Sequence, residues 1–353
     1  MSASSKHLDD PSIEEMMMMV GRDPLTAAVQ RALVFPCNVE HGGRIVLGFS
    51  GGADSTALLL LLQALLERPD SQPGHLVAVH VDHGIRPESV QESNQARALC
   101  ERLGIEVEIR KVDLSEATGN LSDRARIARY RALAAAAEEH GCGYIATAHH
   151  AEDRFETMLH SLCRGTGASG LAQPRWTRAL EQKQLIRPLL ACSRADLRAL
   201  CDRFSLAVIE DPTNADQSTS RGMLREQVLP LLEERWPGAA IRASSAADRL
   251  SAAALALEQV VSERFGPPTL DRWNRTEFHE VDHEVVVAVL RRAIVSKADG
   301  LAGISEENAF SLRLSDAAFA ACDGLRHRRV FDFAQGRIQL QIDADFLWVR
   351  TLD

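Results

Sequence analysis

The six residues Ser50-Gly51-Gly52-Ala53-Asp54-Ser55 bring together two glycines, two hydroxyls and one carboxylate. An apolar run, Ile45 to Leu47, precedes them, and a leucine-rich segment of helical length follows to Leu60 and beyond. That order predicts a strand, a tight loop and a helix. The glycines let backbone approach a ligand closely, and the helix start offers unpaired N–H groups that attract anions. A phosphate suits such a loop, yet the triphosphatase pattern GxxxxGK[ST] is missing, because there is no lysine and the glycine spacing differs. A carboxylate beside a phosphate is tolerable when a divalent cation stands between them, so Asp54 is read as a Mg²⁺ ligand. The plain alternative is a Ser/Gly helix cap with one solvated acid.

Four further clusters could share the chemistry. Asp82-His83 lies in VHVDHGIRPES, residues 79–89, and on its own reads equally well as a turn with a satisfied histidine. ATAHHAEDRFETMLHSLCRGTGASGLA, residues 146–172, is richer. His149 and Asp153 are four apart at a predicted helix start, which places them on one face, with Glu156 one turn further on. A zinc site is the weaker reading, since HExxH is absent. Proton transfer fits better: attack by an amine needs a base for its proton and an acid to hold the cation, and Asp153 and Glu156 could divide those tasks. Arg164-Gly165-Thr166-Gly167 is a flexible basic loop suited to phosphates. Arg124, Arg126, Arg129 and Arg131 surround Tyr130, and are either a solvated helix face or a clamp on nucleotide or nucleic-acid phosphates. In residues 209–230 an Asp-Pro-Thr-Asn turn precedes Arg221 and Arg225, one helical turn apart, again suiting anionic ligands.

These clusters need elements to hold them. HLVAVHVDHG reads as a buried strand, about Glu88 to Leu103 as a helix, Glu106 to Val112 as a strand, Asn120 to Glu139 as a helix, Tyr144 to Ala148 as a strand and Glu152 to Cys163 as a helix. The alternation predicts an α/β fold: a parallel twisted sheet with helices on both faces. Ligands in such sheets lie beyond the strand C-termini, where the polar clusters fall. After Gly170 the pattern loosens through Pro174, Pro188 and Pro212, until a helix near Met223 to Arg235 ends at Trp236-Pro237-Gly238. The expected organisation is an N-terminal extension with a packing helix (1–42), a catalytic domain (43–237) and a smaller, mostly helical C-terminal domain (238–353). Its tail, RVFDFAQGRIQLQIDADFLWVR, predicts two or three short antiparallel strands around Gln335-Gly336.

A chain of 353 residues with 45% hydrophobic and 25% charged residues is ordinary for a soluble protein of about two domains. No apolar run is long enough to cross a bilayer, and the first residues lack the basic region and cleavage site of a signal peptide, so a frayed N-terminus and a cytoplasmic location are expected. Seven scattered cysteines without a CxxC predict reduced, buried thiols. The net charge of −9 argues against a generic polyanion binder but not against a local basic face.

The motifs SGGADS, VHVDHGIRPES, ARIARY (125–130), AHHAEDRFET (148–157), RGTGASGLA (164–172), RPLL (187–190), DPTN (211–214) and RGMLR (221–225) stand in an order that resembles the tRNA(Ile)-lysidine synthetases. Those enzymes are PP-loop ATP pyrophosphatases, with the adenine nucleotide alpha hydrolase-like sheet. The likeness covers about residues 44–235, and the tail resembles the end of the family's first C-terminal domain. The resemblance implies a cytoplasmic ligase. ATP adenylates the 2-carbonyl oxygen of the wobble cytidine in tRNA(Ile) with a CAU anticodon, then free L-lysine displaces AMP through its ε-amine. It implies that Ser50, Gly51, Gly52, Asp54 and Ser55 hold ATP and Mg²⁺. His149, Asp153, Arg129 and Arg221 would be the catalytic positions, Glu156 with Asp153 would recognise lysine, and Arg126, Arg164 and Arg225 would contact tRNA or phosphate.

The chain departs from the family pattern at three places. Glu152-Asp153-Arg154 replaces Asp-Asp-Gln, Gly222 replaces an Asn, and Gln173-Pro174 replaces Gly-Met. None removes a catalytic group, while Arg154 is expected to add a charge near the base. A further C-terminal domain of longer members is expected to be missing. Competing readings are a tRNA cytidine thiolase, which the lack of CxxC disfavours, a small-molecule amide synthetase, and an idle nucleotide- or RNA-binding module. An anticodon loop is read by stacking and edge contacts, and its cytidine must leave the stack to reach Asp54. The sequence names no stacking residues and leaves monomer and homodimer both open.

Overall fold

A computed structural model describes residues 12–69, 71–84, 89–113, 121–209, 219–267, 271–298, 311–323, 328–333 and 336–352. The Asp-Pro-Thr-Asn turn, residues 85–88 and Gln335 lie outside the described residues. The chain divides into two compact units, Met1–Thr157 with Pro174–Ser245, and Met158–Gln173 with Ala246–Asp353.

The first unit is built on a six-stranded sheet. Its strands are β1 (Gly43–Gly48), β2 (Pro73–Asp82), β3 (Glu106–Lys111), β4 (Tyr144–Ala146), β5 (Thr177–Leu180) and β6 (Lys183–Ile186), in the order β3-β2-β1-β4-β6-β5. All pairings are parallel except that of β5 with β6. The apolar runs of β1 and β2 are buried on both faces, as parallel strands under helices must be. One face is covered by α1 (Ile13–Gly21), α2 (Pro24–Val34), α3 (Ala53–Leu66), α4 (Ser89–Arg102) and α8 (Arg194–Arg203), which share one apolar core. The other carries α5 (Leu121–Glu139), whose Tyr130, Leu133 and Ala137 pack on Val46, Val79 and Ile145. Between β1 and β4 the chain order reverses, which opens a crevice at their C-terminal ends.

Two expectations need correction. The methionine cluster is not frayed over its described part: Ser12 and Glu15 form a capping box, and Met16, Met17 and Val20 of α1 are buried. The loosened stretch after Gly170 holds the short α7 (Ala168–Leu171), the β5–β6 hairpin and α8. The helix at its end is continuous from α9 (Ser220–Met223) through a π turn (Leu224–Val228) into α10 (Leu229–Arg235). Pro230 has no N–H to donate backwards, and the helix widens just ahead of it. α6 (Ala151–Cys163) follows β4 directly, and α11 (Ala239–Phe265) follows the Trp236-Pro237-Gly238 turn.

The second unit has an antiparallel sheet in the order β7-β10-β9-β8, from β7 (Arg272–Asn274), β8 (Arg329–Phe333), β9 (Ile338–Ile342) and β10 (Phe346–Thr351). The last three are the strands expected of the tail; β7, three residues long, was not expected. With α12 (His283–Ala298) and α13 (Ser311–Cys322) they enclose Phe265, Trp273 and Phe278, the two phenylalanine rings stacked at 5.2 Å. Arg275 is buried there and donates to the carbonyls of Ala320, Ala321 and Asp343 and to Asp323. Among the described residues no helix is long and apolar enough to cross a membrane.

Candidate active site

The loop after β1 is locked before it meets any ligand. Gly51 has φ +78°, and a Cβ there would stand 2.3 Å from Ile209 Cδ1, so only glycine fits. Its carbonyl accepts from Ile209 N at 2.9 Å and from Thr56 Oγ1 at 3.3 Å. The hydroxyls of Ser50 and Ser55 lie 3.0 Å apart, and Ser55 also donates to the Gly52 carbonyl. Gly52 caps α3 without a side-chain hydrogen bond, leaving the first N–H groups of that helix to the crevice. Asp54 sits in the first turn.

Across the crevice, the residues after β4 supply the partner of Asp54. It is His150, which the sequence reading passed over in favour of its neighbour. His150 is buried, with Nε2 3.6 Å from Asp54 Oδ2 and 3.4 Å from Asp153 Oδ2, while Nδ1 is 2.9 Å from Glu152 Oε2. Its backbone N–H donates to Asp153 Oδ2 at 3.0 Å. Burial disfavours its charge, but Asp153, Asp54 and Glu152 together push its pKa up to about 10. His150 is therefore an imidazolium that ties the loop acid to the helix acid. Spacing gave the signal: His150 and Asp153 are three apart, as good a helical pair as His149 and Asp153.

His149 behaves in the opposite way. Its Nδ1 pairs with Thr147 Oγ1 at 2.9 Å. Burial, with Arg187, Arg129 and Arg126, holds its pKa well below the ordinary histidine range against the pull of Asp153. One turn along α6, Glu156 is buried, and its Oε2 accepts from Arg225 Nε at 3.0 Å and Nη2 at 2.9 Å. Arg221 Nε stands 3.9 Å from its other oxygen, and Arg225 Nη2 is 4.0 Å from Asp153 Oδ1. Burial raises the Glu156 pKa against these guanidiniums. The π turn ahead of Pro230 carries Arg225.

Arg126 and Arg129 lie over the ring of Tyr130 at 5.2 and 5.5 Å. Arg131 instead lines a shallow surface with Arg110 and Glu139. Arg164 is exposed in the turn that closes α6 and belongs to the second unit. Arg154 does not charge the crevice as expected. It is buried, donates to the carbonyl and hydroxyl of Ser244 at 3.2 and 3.1 Å, and lies 6.0 Å from the ring of Trp176. Asp82 accepts from Gly84 N at 2.8 Å and shapes the loop after β2, while His80 pairs with the Phe49 carbonyl at 3.0 Å, just past β1.

A magnesium ion fits one residue set. Asp54 Oδ1 is buried and has no hydrogen-bond partner, a free hard-oxygen ligand beside helix N–H groups suited to phosphates. Among the described residues no group of three His, Cys, Asp or Glu could hold a metal by itself. Burial pushes the thiols of Cys37, Cys100, Cys192 and Cys201 up to about 12.

Fold and crevice define an α/β chain with a glycine-containing loop and a helix start at a topological switch point. The chain belongs to the PP-loop domain family, whose pattern matches residues 25–232. It is 41% identical over 193 residues to a tRNA(Ile)-lysidine synthase of Pseudomonas fluorescens, covering 55% of this chain and 42% of that one. It is 37% identical over 233 residues to the tRNA(Ile)-lysidine synthase of a Legionella pneumophila strain, covering 65% and 52%. The chain thus spans about half the length of the curated relatives it matches. Among solved structures, a U34-tRNA thiolase of Methanococcus maripaludis with its [4Fe-4S] cluster matches at TM-score 0.55 and 20% identity, over 68% of this chain and 80% of that one. That likeness shows the fold alone.

Proposed function

We propose that this chain is an ATP-dependent ligase that converts the wobble cytidine of tRNA(Ile) with a CAU anticodon to lysidine, using free L-lysine and releasing AMP and pyrophosphate. The observation that carries the reading is the junction at His150, which joins the Asp54 carboxylate of the phosphate loop to Asp153 of α6. The named relatives support it, and the PP-loop match over residues 25–232 includes this junction.

In the first step the cytidine 2-carbonyl oxygen attacks the α-phosphorus of ATP, the α–β bridging bond breaks, and pyrophosphate leaves. The N–H groups at the start of α3 and the hydroxyls of Ser50 and Ser55 hold the phosphates, and Arg129 and Arg221 offset the charge that develops. Bound at Asp54, Mg²⁺ would neutralise phosphate charge that the carboxylate otherwise repels. In the second step the lysine ε-amine attacks C2, the bond to the AMP oxygen breaks, and the amine loses a proton. Asp153 takes that proton, held in place by His150 and the start of α6. Glu156 supplies the acid that faces lysine, its charge shared with Arg225 and Arg221. His149, kept neutral, contributes no cation where the cytidine enters.

The test is to incubate the protein with Mg-ATP, labelled lysine and an unmodified tRNA(Ile) transcript bearing a CAU anticodon, and to count label in precipitated RNA. Asp54→Ala is expected to lower labelling by at least about 100-fold, the scale on which transition-state charge stabilisation operates. AMP formation without labelling would point to another adenylating enzyme, and no AMP at all would sink the catalytic reading.

A further inference from the structure

Tyr130 lies buried where α5 crosses the C-terminal ends of the strands, and four arginines from three elements gather on it. Arg126 and Arg129 come from α5, Arg178 from the edge strand β5 at 5.1 Å from the ring centroid, and Arg187 from the residue just past β6. Arg187 is 4% exposed. Its Nη1 donates to the Arg175 carbonyl at 2.6 Å, but its Nε is buried without a hydrogen-bond partner, as is the Nε of Arg129. None of the four makes a salt bridge with an acid among the described residues.

Gathering guanidiniums without a carboxylate costs free energy. Burial lowers the pKa of Arg187 against the opposing pull of Tyr130, and Arg178 and Arg126 lower it further. Burial alone would raise that of Tyr130, yet Arg126, Arg129, Arg187 and Arg178 bring it below the ordinary phenol range. Unpaired buried donors and mutually repelling cations are the arrangement expected of a receptor whose counter-ion is the ligand. The ATP phosphates already have a receptor in the loop before α3, which runs over the opposite face of the sheet from α5. Arg126 and Arg178 are exposed, so the cluster opens outward along the sheet edge instead of closing over a small molecule.

We infer that Arg126, Arg178 and Arg187, arrayed on Tyr130 beside Arg129, receive the phosphate backbone of the RNA strand that carries the target base. The inference rests on the proposed function and adds to it the place where the strand is gripped, including Arg178, which no motif had marked, and Arg187, the first residue of RPLL. Gripping the backbone here, next to His149, would set the distance from which the flipped base reaches the loop acid.

The experiment measures affinity for the unmodified tRNA by fluorescence anisotropy from 50 to 200 mM KCl, for wild type, Arg178→Gln and Arg126→Gln/Arg178→Gln. Both side chains are exposed, and circular dichroism confirms that the variants fold. Binding is expected to weaken several-fold at each substitution, with the log–log salt slope shallower by about 0.7 per arginine lost from a single strand. Affinity for a non-hydrolysable ATP analogue is expected to stay at the wild-type value. Unchanged tRNA affinity and slope in the variants, with a wild type that binds, would overturn the inference alone. So would weaker analogue binding with unchanged tRNA binding, which would give the cluster to the triphosphate. A wild type that binds no tRNA at any salt would bring down the proposed function itself.

Discussion

His150 and Glu156 are two buried ionisable groups whose surroundings act in opposite senses. The His150 pKa rises to about 10 in the folded chain, from about 6.5 unfolded. A raised pKa means that its stabilisation is complete below the unfolded value and is lost as pH climbs through the folded one. Melting curves of wild type and His150→Gln should therefore differ most below about pH 6.5 and converge towards about pH 10. A constant difference across that range would mean that the histidine is not charged. Glu156 depends on Arg225 to be buried at all. Arg225→Ala leaves that carboxylate without its main partner, and urea unfolding should show a loss of about 3–5 kcal/mol. Arg221→Ala, removing a more exposed guanidinium at 3.9 Å, should cost under about 1 kcal/mol in the same assay. The acids, Arg129 and Arg221 were visible in the sequence because their spacing repeats the helix period. His150 was not, since two adjacent histidines offer equal periodicity and only the backbone decides which one enters the crevice.

Among the elements, the strand, loop and helix from β1 to α3 were legible because an apolar run, a glycine pair and a leucine-rich segment each report one state. Gly51 fixes this unit. Gly51→Ala forces a side chain into the left-handed region, at about 1–2 kcal/mol, and also drives Ile209 aside. Calorimetric affinity for an ATP analogue is expected to fall at least about tenfold. Gly52→Ala, where a Cβ meets nothing closer than 3.5 Å, should bind nearly as wild type. Other elements stayed hidden for physical reasons. TRAL at the sheet edge and KQLI beside it are four-residue strands with charged members, too short to show a period. β7 is shorter still. The capping box before α1 was written in Ser12 and Glu15, but four consecutive methionines mask the amphipathic face behind it.

Across the whole molecule, a net charge of −9 coexists with an arginine cluster around Tyr130, so bulk charge does not report local charge. Composition did predict the thiols well. Five of the seven cysteines are buried, Cys322 is half-buried, and Cys163 is exposed. A disulfide reagent should titrate one fast thiol in the native protein and seven in guanidinium. Arg154 shows how distance in sequence and distance in space come apart. It stands inside the most chemical stretch of the chain, yet its guanidinium is held by Ser244, 90 positions away, whose hydroxyl in turn holds the Leu190 carbonyl at 2.6 Å. The two sites have thus become joint tenants. A hydroxyl lost at 244 would leave the buried guanidinium at 154 with one acceptor fewer and the Leu190 carbonyl without that donor.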